Sequence, residues 1–248
     1  MPDIERGPNL GDQVYAYLRE RIVSGRIAPG QWINESELAA ELQVSRTPVS
    51  NAVIMLRERG LVTARFGRLL VPTLSHRDVI DLYRCRAAFD GLATRLAAGL
   101  VTDDDVAALA RDLDGWEAAG AQDAQTRMWI VDLGFHQRIY SASRNRHLIH
   151  FAAVAADLLA IYRHGAIAAR NESAGSTSAR SRDDVALEHR AILAALERRD
   201  PEAAERSARA HVENVIDHLM TFPPGDGAAS DPAVATSTFP FVSVGAKP

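Results

Sequence analysis

The sequence predicts a mainly α protein: three short helices and a β-hairpin, followed by an all-α bundle of six helices. Three observations support this. Apolar residues recur at helical spacing through most of the 248 residues. Short β-branched or apolar runs that read as strands occur at LVTAR and RLLVP, on either side of Phe66-Gly67. After Pro72 the strand pattern does not return.

Each element has a local reason. In LGDQVYAYLRERIVS, residues 10 to 24, Val14, Tyr17, Leu18, Arg21 and Ile22 fall at helical spacing, and Gly25 stops the helix. Pro29-Gly30 is a turn dipeptide. Asn34 then caps ESELAAEL, with Glu37 placed as in a capping box. Gln43-Val44-Ser45 makes a turn, and RTPVSNAVIMLRERG reads as a third helix that tolerates Pro48 in its first turn and ends at Gly60. LVTAR and RLLVP form a two-stranded hairpin with a tight tip at Phe66-Gly67. From Ser75 onward the helices run over residues 75 to 99, 103 to 119, 122 to 142, 146 to 169, 183 to 199 and 201 to 220. Ser75, Thr102 and Asp183 are suitable caps, and Asp200-Pro201 breaks one helix and restarts the next.

The expected organisation is a flexible N-terminus over 1–9, one domain over 10–73 and a second over 74–220. Residues 171 to 181 are a small-polar loop, and 221–248, rich in Pro, Gly, Ala, Ser and Thr, are a disordered tail.

Composition narrows the function classes. A chain 47% hydrophobic and 24% charged can build a core, and no apolar run approaches the roughly 20 residues a membrane helix needs. MPDIERGPNL carries acids and a proline instead of a secretory signal, so a cytoplasmic protein with no membrane partner is expected. The single cysteine, Cys85, leaves no intramolecular disulfide and no Cys-rich zinc module. Net charge is -4, so a surface for nucleic acid must come from local patterning. Between Arg46 and Leu70 there are five arginines, Arg46, Arg57, Arg59, Arg65 and Arg68, against one acid, Glu58.

Three helices followed by a hairpin is the layout of a winged helix-turn-helix, whose third helix enters the major groove while the hairpin touches the flanking backbone. The third helix begins Ser45-Arg46-Thr47, two hydroxyls and a guanidinium at the end that reaches base edges. Arg46 is suited to bidentate contact with guanine. The plainer alternative, that Ser45 and Thr47 only cap a helix, does not account for the preceding helix, the Gly60 stop and the Arg65 to Arg68 wing.

Behind this domain, four polar residues occupy apolar faces. Met128, Asp132, Phe135, His136 and Ile139 share one face; Val185, His189, Ile192, Leu193 and Leu196 share another; Ala208, His211, Val215 and Leu219 a third. Three imidazoles and a carboxylate facing inward from three helices cost about 1–3 kcal/mol each if unsatisfied. A divalent metal satisfies all four, zinc first, with nickel, manganese and iron also suited, and leaves positions open for a ligand. Singly, each histidine reads as a hydrogen-bonded core residue; the set points to the ion. Arg86 lies on the stripe Val79, Leu82, Phe89, Ala93 and Leu96 and needs an anion there: a small carboxylate effector, or an internal salt bridge to Asp90 or Asp132.

INESELAAELQVSRTPVSNAVIMLRERGLV resembles the N-terminal domain of the GntR superfamily of bacterial regulators, over residues 10 to 73, in the frame E-x-x-L-A, V-S-R-T-P-V and L-x-x-x-G-L-V. Two departures stand out: Ser50 replaces the arginine with which relatives contact the operator, and Arg68-Leu69-Leu70 lacks the wing glycine that commonly follows the arginine. LYRCRAAFDGLATRLAA, then DLGFH, then EHRAILAALERRDPEAAERSARAH, resembles the FCD ligand-binding domain of the FadR subfamily, over about residues 77 to 220. That resemblance implies a divalent metal on Asp132, His136, His189 and His211, with Arg86 in the effector site. It departs at Phe89-Asp90, where relatives usually have Leu-Glu. The full ligand set favours the metal-and-organic-acid branch over the acyl-CoA branch.

The expectation is therefore a homodimeric repressor on pseudo-palindromic double-stranded operator DNA, using Ser45, Arg46, Thr47, Ser50, Arg65 and Arg68, and modulated by a small organic acid. Two rivals are a regulator that senses the metal itself and a mononuclear helical metalloenzyme. The second lacks an evident general base and leaves the DNA-binding domain unexplained.

Overall fold

The structure is a computed structural model that describes residues 10–118, 124–172 and 182–221, and their side chains except those of 116–132 and 165–182. The expected flexible N-terminus (1–9) lies outside the described residues, as do the expected loop (171–181) apart from Asn171 and Glu172, which belong to the helix before it, and the expected tail (221–248) apart from Thr221. The described chain forms two compact units, one from residues 10–76 with 157–172, the other from 77–156 with 182–221.

The first unit contains α1 (Leu10–Val23), β1 (Trp32–Ile33), α2 (Glu35–Glu41), α3 (Arg46–Glu58), β2 (Thr63–Arg65) and β3 (Arg68–Leu70). α1 buries Val14, Leu18 and Ile22, and α3 buries Val49, Ala52, Val53 and Leu56, in one core. Full burial of each large aliphatic side chain is worth about 1.5–3 kcal/mol. Asn34 caps α2 as its sequence predicts: its Oδ1 accepts from the Ser36 and Glu37 amides while its Nδ2 donates to Glu37 Oε1 (2.8 Å). The sheet has three strands where the sequence suggested two. β3 pairs antiparallel with β2 (Thr63↔Leu70, Ala64↔Leu69, Arg65↔Arg68) and on its other edge with β1 (Trp32↔Leu70, Ile33↔Leu69). A two-residue strand has no periodicity to read, so only its distant partner reveals it.

Helix α7 (Arg146–Glu172) contributes its residues from Asp157 onward to this unit. Ile161 lies in the core, and Arg19 grips the Asp157 carboxylate in a two-point ion pair, Nε to Oδ2 at 2.7 Å and Nη2 to Oδ1 at 2.5 Å. Burial pushes the Asp157 carboxyl up and Arg19 only partly opposes this. His164 Nε2 donates to the Val23 carbonyl (2.9 Å), one of those that the end of α1 leaves open. Gly25, at φ +75, passes so close that a Cβ there would meet the His164 ring at 2.7 Å.

The second unit holds α4 (His76–Ala98) from Arg77 onward, α5 (Asp103–Ala118), α6 (Ala124–Ala142), the first part of α7, α8 (Arg182–Glu197) and α9 (Pro201–Met220). Its main core joins Ala97 and Ala98 of α4, Leu109 and Leu113 of α5, Phe135 and Ile139 of α6, Ile192, Leu193 and Leu196 of α8, and Ala204 and Ala208 of α9. Thr102 and Asp105 cap α5 reciprocally, and Asp200 caps α9 just before Pro201. Asp183, expected to be a cap, falls in the first turn of α8 instead.

Candidate nucleic-acid interface and metal centre

The N-terminal end of α3 is open to solvent. Ser45 is the N-cap residue, its hydroxyl makes no capping hydrogen bond, and Ser45, Arg46 and Thr47 are all exposed. Ser50 is half-buried and its hydroxyl donates to Glu35 Oε2 (2.7 Å), which ties α3 to the first turn of α2. On the wing, Arg65 and Arg68 are exposed, and each lies over an aromatic ring: Arg65 at 5.2 Å from the centroid of Phe66, Arg68 at 4.4 Å from that of Trp32. Arg59, counted in the basic patch, packs over Tyr15 instead (5.4 Å). An exposed helix N-terminus and two exposed guanidinium groups on the wing each suit a polyanion.

In the second unit three histidines come together from three helices, as the apolar faces predict. His136 of α6, His189 of α8 and His211 of α9 are buried, and one ring nitrogen from each lies within 4.8 Å of the others. Helical periodicity places them there: His136 follows the buried Phe135, His189 precedes Ile192 and Leu193, and His211 follows Ala208. Asp132 sits one turn before His136 in α6, and its side chain lies outside the described residues.

The surroundings decide which nitrogens converge. Glu188 Oε2 accepts from His211 Nδ1 (2.8 Å), and Glu188 Oε1 accepts from Asn214 Nδ2 (2.7 Å). Asp90 Oδ2 lies 3.3 Å from His136 Nδ1. A carboxylate on each Nδ1 holds the proton there and turns the Nε2 lone pairs inward, where those of His136 and His211 stand 3.3 Å apart. At that distance the two nitrogens share a proton in an N–H···N hydrogen bond or hold a cation between them. Zinc nitrogens about 2.0–2.1 Å from a tetrahedral ion stand roughly 3.4 Å apart, so the residues present fit a metal.

In the sequence Asp90 reads as a salt-bridge partner for Arg86 and as a departure from the family's Leu-Glu; in the fold it does more. Its side chain is fully buried. Oδ2 accepts from Arg86 Nε (3.3 Å) and Nη2 (3.1 Å), and Oδ1 accepts the Tyr140 hydroxyl. Burial alone would push this carboxyl up; Arg86 first, then His136 and the Tyr140 hydrogen bond, outweigh burial and hold it below the usual range. Tyr140 is pushed up, by its burial and by Asp90. The buried stripe of α4 is Val79, Tyr83, Ala87, Asp90, Ala93, Thr94 and Ala97, slightly rotated from the one predicted through Arg86. Small residues let neighbouring helices approach closely, and a count of large apolar side chains overlooks them. Arg86 therefore lies at the edge of the interior, its side chain 14% exposed, and reaches inward to Asp90. Glu188 carried no signal, because its partner His211 is on a different helix.

The sequence matches the family described as "Bacterial regulatory proteins, gntR family" over residues 10–68 and the one described as "FCD domain" over residues 81–214. It is similar to "Uncharacterized HTH-type transcriptional regulator YdhC" of Bacillus subtilis, 28% identical over 212 residues that cover 84% of this chain and 89% of that protein. It is also similar to "Probable D-xylose utilization operon transcriptional repressor" of Paenarthrobacter nicotinovorans, 30% identical over 209 residues, 82% of this chain and 85% of that one. In fold it is like the solved structure of E. coli McbR/YncC, with a TM-score of 0.65 at 22% identity over 85% of this chain and 97% of that one. Among the described residues no helix is long and apolar enough to cross a membrane. The chain thus belongs to the gntR family of bacterial regulatory proteins, with an FCD domain behind its helix-turn-helix, and is a DNA-binding transcriptional regulator, not an enzyme.

Proposed function

We propose that this regulator is a cytoplasmic homodimeric repressor whose hold on a pseudo-palindromic operator is released by a small carboxylate bound at a divalent metal in the helical domain. The DNA-binding domain spans 10–73 and the effector domain 74–220. The observation that carries the effector part is the cluster of His136, His189 and His211, with Asp90 and Glu188 fixing the outer nitrogens of two of them. Asp132, one turn before His136, completes the ligand set. Zinc fits these donors first; nickel, manganese and iron fit as well. Several relatives are named repressors, which favours repression.

When bound, the metal offers open positions to an anionic ligand. Arg86 binds the ligand's carboxylate by its planar fork, sharing the guanidinium with Asp90 or displacing it. Because Asp90 also faces His136 and Tyr140, displacement changes the packing among α4 and α6, and the ligand favours one arrangement of the bundle over another. On DNA, Ser45, Arg46 and Thr47 face base edges, while Ser50, Arg65 and Arg68 serve the flanks and the backbone. A two-fold dimer demands two half-sites, and ligand binding changes the separation of the two α3 helices.

The test is metal analysis of the dialysed full-length protein by mass spectrometry, beside the Asp132→Ala/His211→Ala variant. About one divalent ion per chain in the wild type alone is expected. If both proteins stay empty after incubation with zinc, nickel and manganese, the histidines are a polar core and the effector reading fails. Titration of operator binding with metal alone separates a metal sensor from an organic-acid sensor.

A further inference from the structure

The turn that joins β2 to β3 is built at a cost the fold does not require. Arg65 and Arg68 close the hairpin, leaving Phe66 and Gly67 as a two-residue connection with φ of 51° and 73°. Two positive φ values mark a type I′ turn, whose first position favours Asn, Asp or Gly. A bulky side chain at positive φ is a genuine outlier. Among the described residues, Gln43, Arg144 and Arg199 are the other non-glycine residues with positive φ, and Phe66 alone is aromatic. Phe66 is also 86% exposed, the most open of the exposed large apolar residues, so it has no role in the core. Single exposed apolar residues are ordinary, and strained turns are too. Strain, exposure and an aromatic ring on one residue point to a partner.

The surroundings identify that partner's chemistry. Arg65 stacks over Phe66 and Arg68 over Trp32, and no Asp or Glu occurs between Glu58 and Asp78. The tip is an apolar wedge between two exposed cations, the combination that minor-groove binders use to part base steps while neutralising phosphates. We infer that Phe66 is a shape-reading wedge that enters the minor groove beside each half-site and partly unstacks one base step. This inference rests on DNA binding through the winged helix and adds a source of specificity to it. Pyrimidine–purine steps unstack at least cost, so the operator flanks should prefer TA or CA/TG where the wing lands.

The experiment uses full-length wild type, Phe66→Asn and Phe66→Met, and a random-sequence duplex pool from which bound DNA is sequenced. Phe66→Asn places Asn-Gly in the turn and should melt no lower than the wild type. The wild type should enrich a pyrimidine–purine step at a fixed distance outside each half-site. Phe66→Asn should keep the half-sites but lose the flank preference and bind the selected duplex about tenfold more weakly, with Phe66→Met between the two. With 2-aminopurine at that step, fluorescence should rise on binding the wild type and stay low with Phe66→Asn. Equal affinity and the same flanks for wild type and Phe66→Asn overturn the proposal. So does a uniform loss on all duplexes with unchanged flanks and fluorescence, or a change confined to oligomeric mass, which would assign the ring to a protein contact. No enriched sequence with the wild type would instead overturn operator recognition itself.

Discussion

Asp90 shows how much one buried carboxylate can organise. Arg86, His136 and Tyr140 all reach its two oxygens, and removing its charge would leave the Arg86 guanidinium poorly matched and His136 free to turn. Outer partners of metal-bound histidines are typically worth about 10–100-fold in metal affinity. Asp90→Asn should weaken metal binding by that order in a competition titration with a chromophoric chelator, and unchanged affinity would reduce Asp90 to a packing residue. His189→Ala should empty the site and abolish the response to small carboxylates while leaving DNA affinity intact; a variant that still holds the ion would remove His189 from the ligand set. The three histidines were legible in the sequence because each interrupts an apolar helical face. Asp90 was legible only as a partner four residues from Arg86. Glu188 was not legible, since its contact with His211 joins two helices and no spacing within either encodes it.

Among the elements, α5 depends on a reciprocal cap. The Thr102 amide and hydroxyl both donate to Asp105 Oδ2, at 2.9 and 2.8 Å, and the Asp105 amide donates back to Thr102 Oγ1 at 3.1 Å. The two hydrogen bonds that Thr102 donates, the backbone one first, hold the Asp105 carboxyl below its ordinary value of 3.8. Its folded value is lower than its unfolded one, so its stabilisation is complete above the unfolded value and is lost as pH falls through the folded one. Asp105→Ala should therefore melt below the wild type at pH 7, and the gap should close as the pH drops below about 4. A gap that persists in acid would assign the effect to helix propensity and not to the charge. The caps Asn34 and Thr102 were readable because a cap is a local matter of a few residues; Asp183, read as a cap, lies inside the first turn because α8 begins at Arg182. The strand Trp32–Ile33 was not, because what defines it is pairing with Leu69 and Leu70 far along the chain.

At the scale of the whole molecule, the sequence suggests a DNA-binding domain that ends near residue 73, whereas the compact unit around α1 and α3 also takes in residues 157–172. Ile161 lies in the same core as Val14, Leu18 and Leu56 and is 1% exposed. Truncating a buried isoleucine to alanine costs about 2–5 kcal/mol. Ile161→Ala should therefore lower the midpoint of thermal unfolding and, on warming, release operator DNA before the wild type does. An unchanged melting curve would detach this stretch of α7 from the core of the first unit.

By itself the sequence determined the two families, the order of helices and hairpin, the caps at Asn34 and Thr102, and the inward-facing histidines, because each is encoded in periodicity or in a motif of a few neighbouring residues. The tertiary structure alone decided that Asp90 and Glu188 orient His136 and His211, that Arg86 sits at the edge of the interior, that a third strand completes the wing, and that α7 supplies Asp157 and Ile161 to the core around α1. These depend on contacts between residues far apart in the chain, and packing, unlike local propensity, is settled only when every element has found its partner.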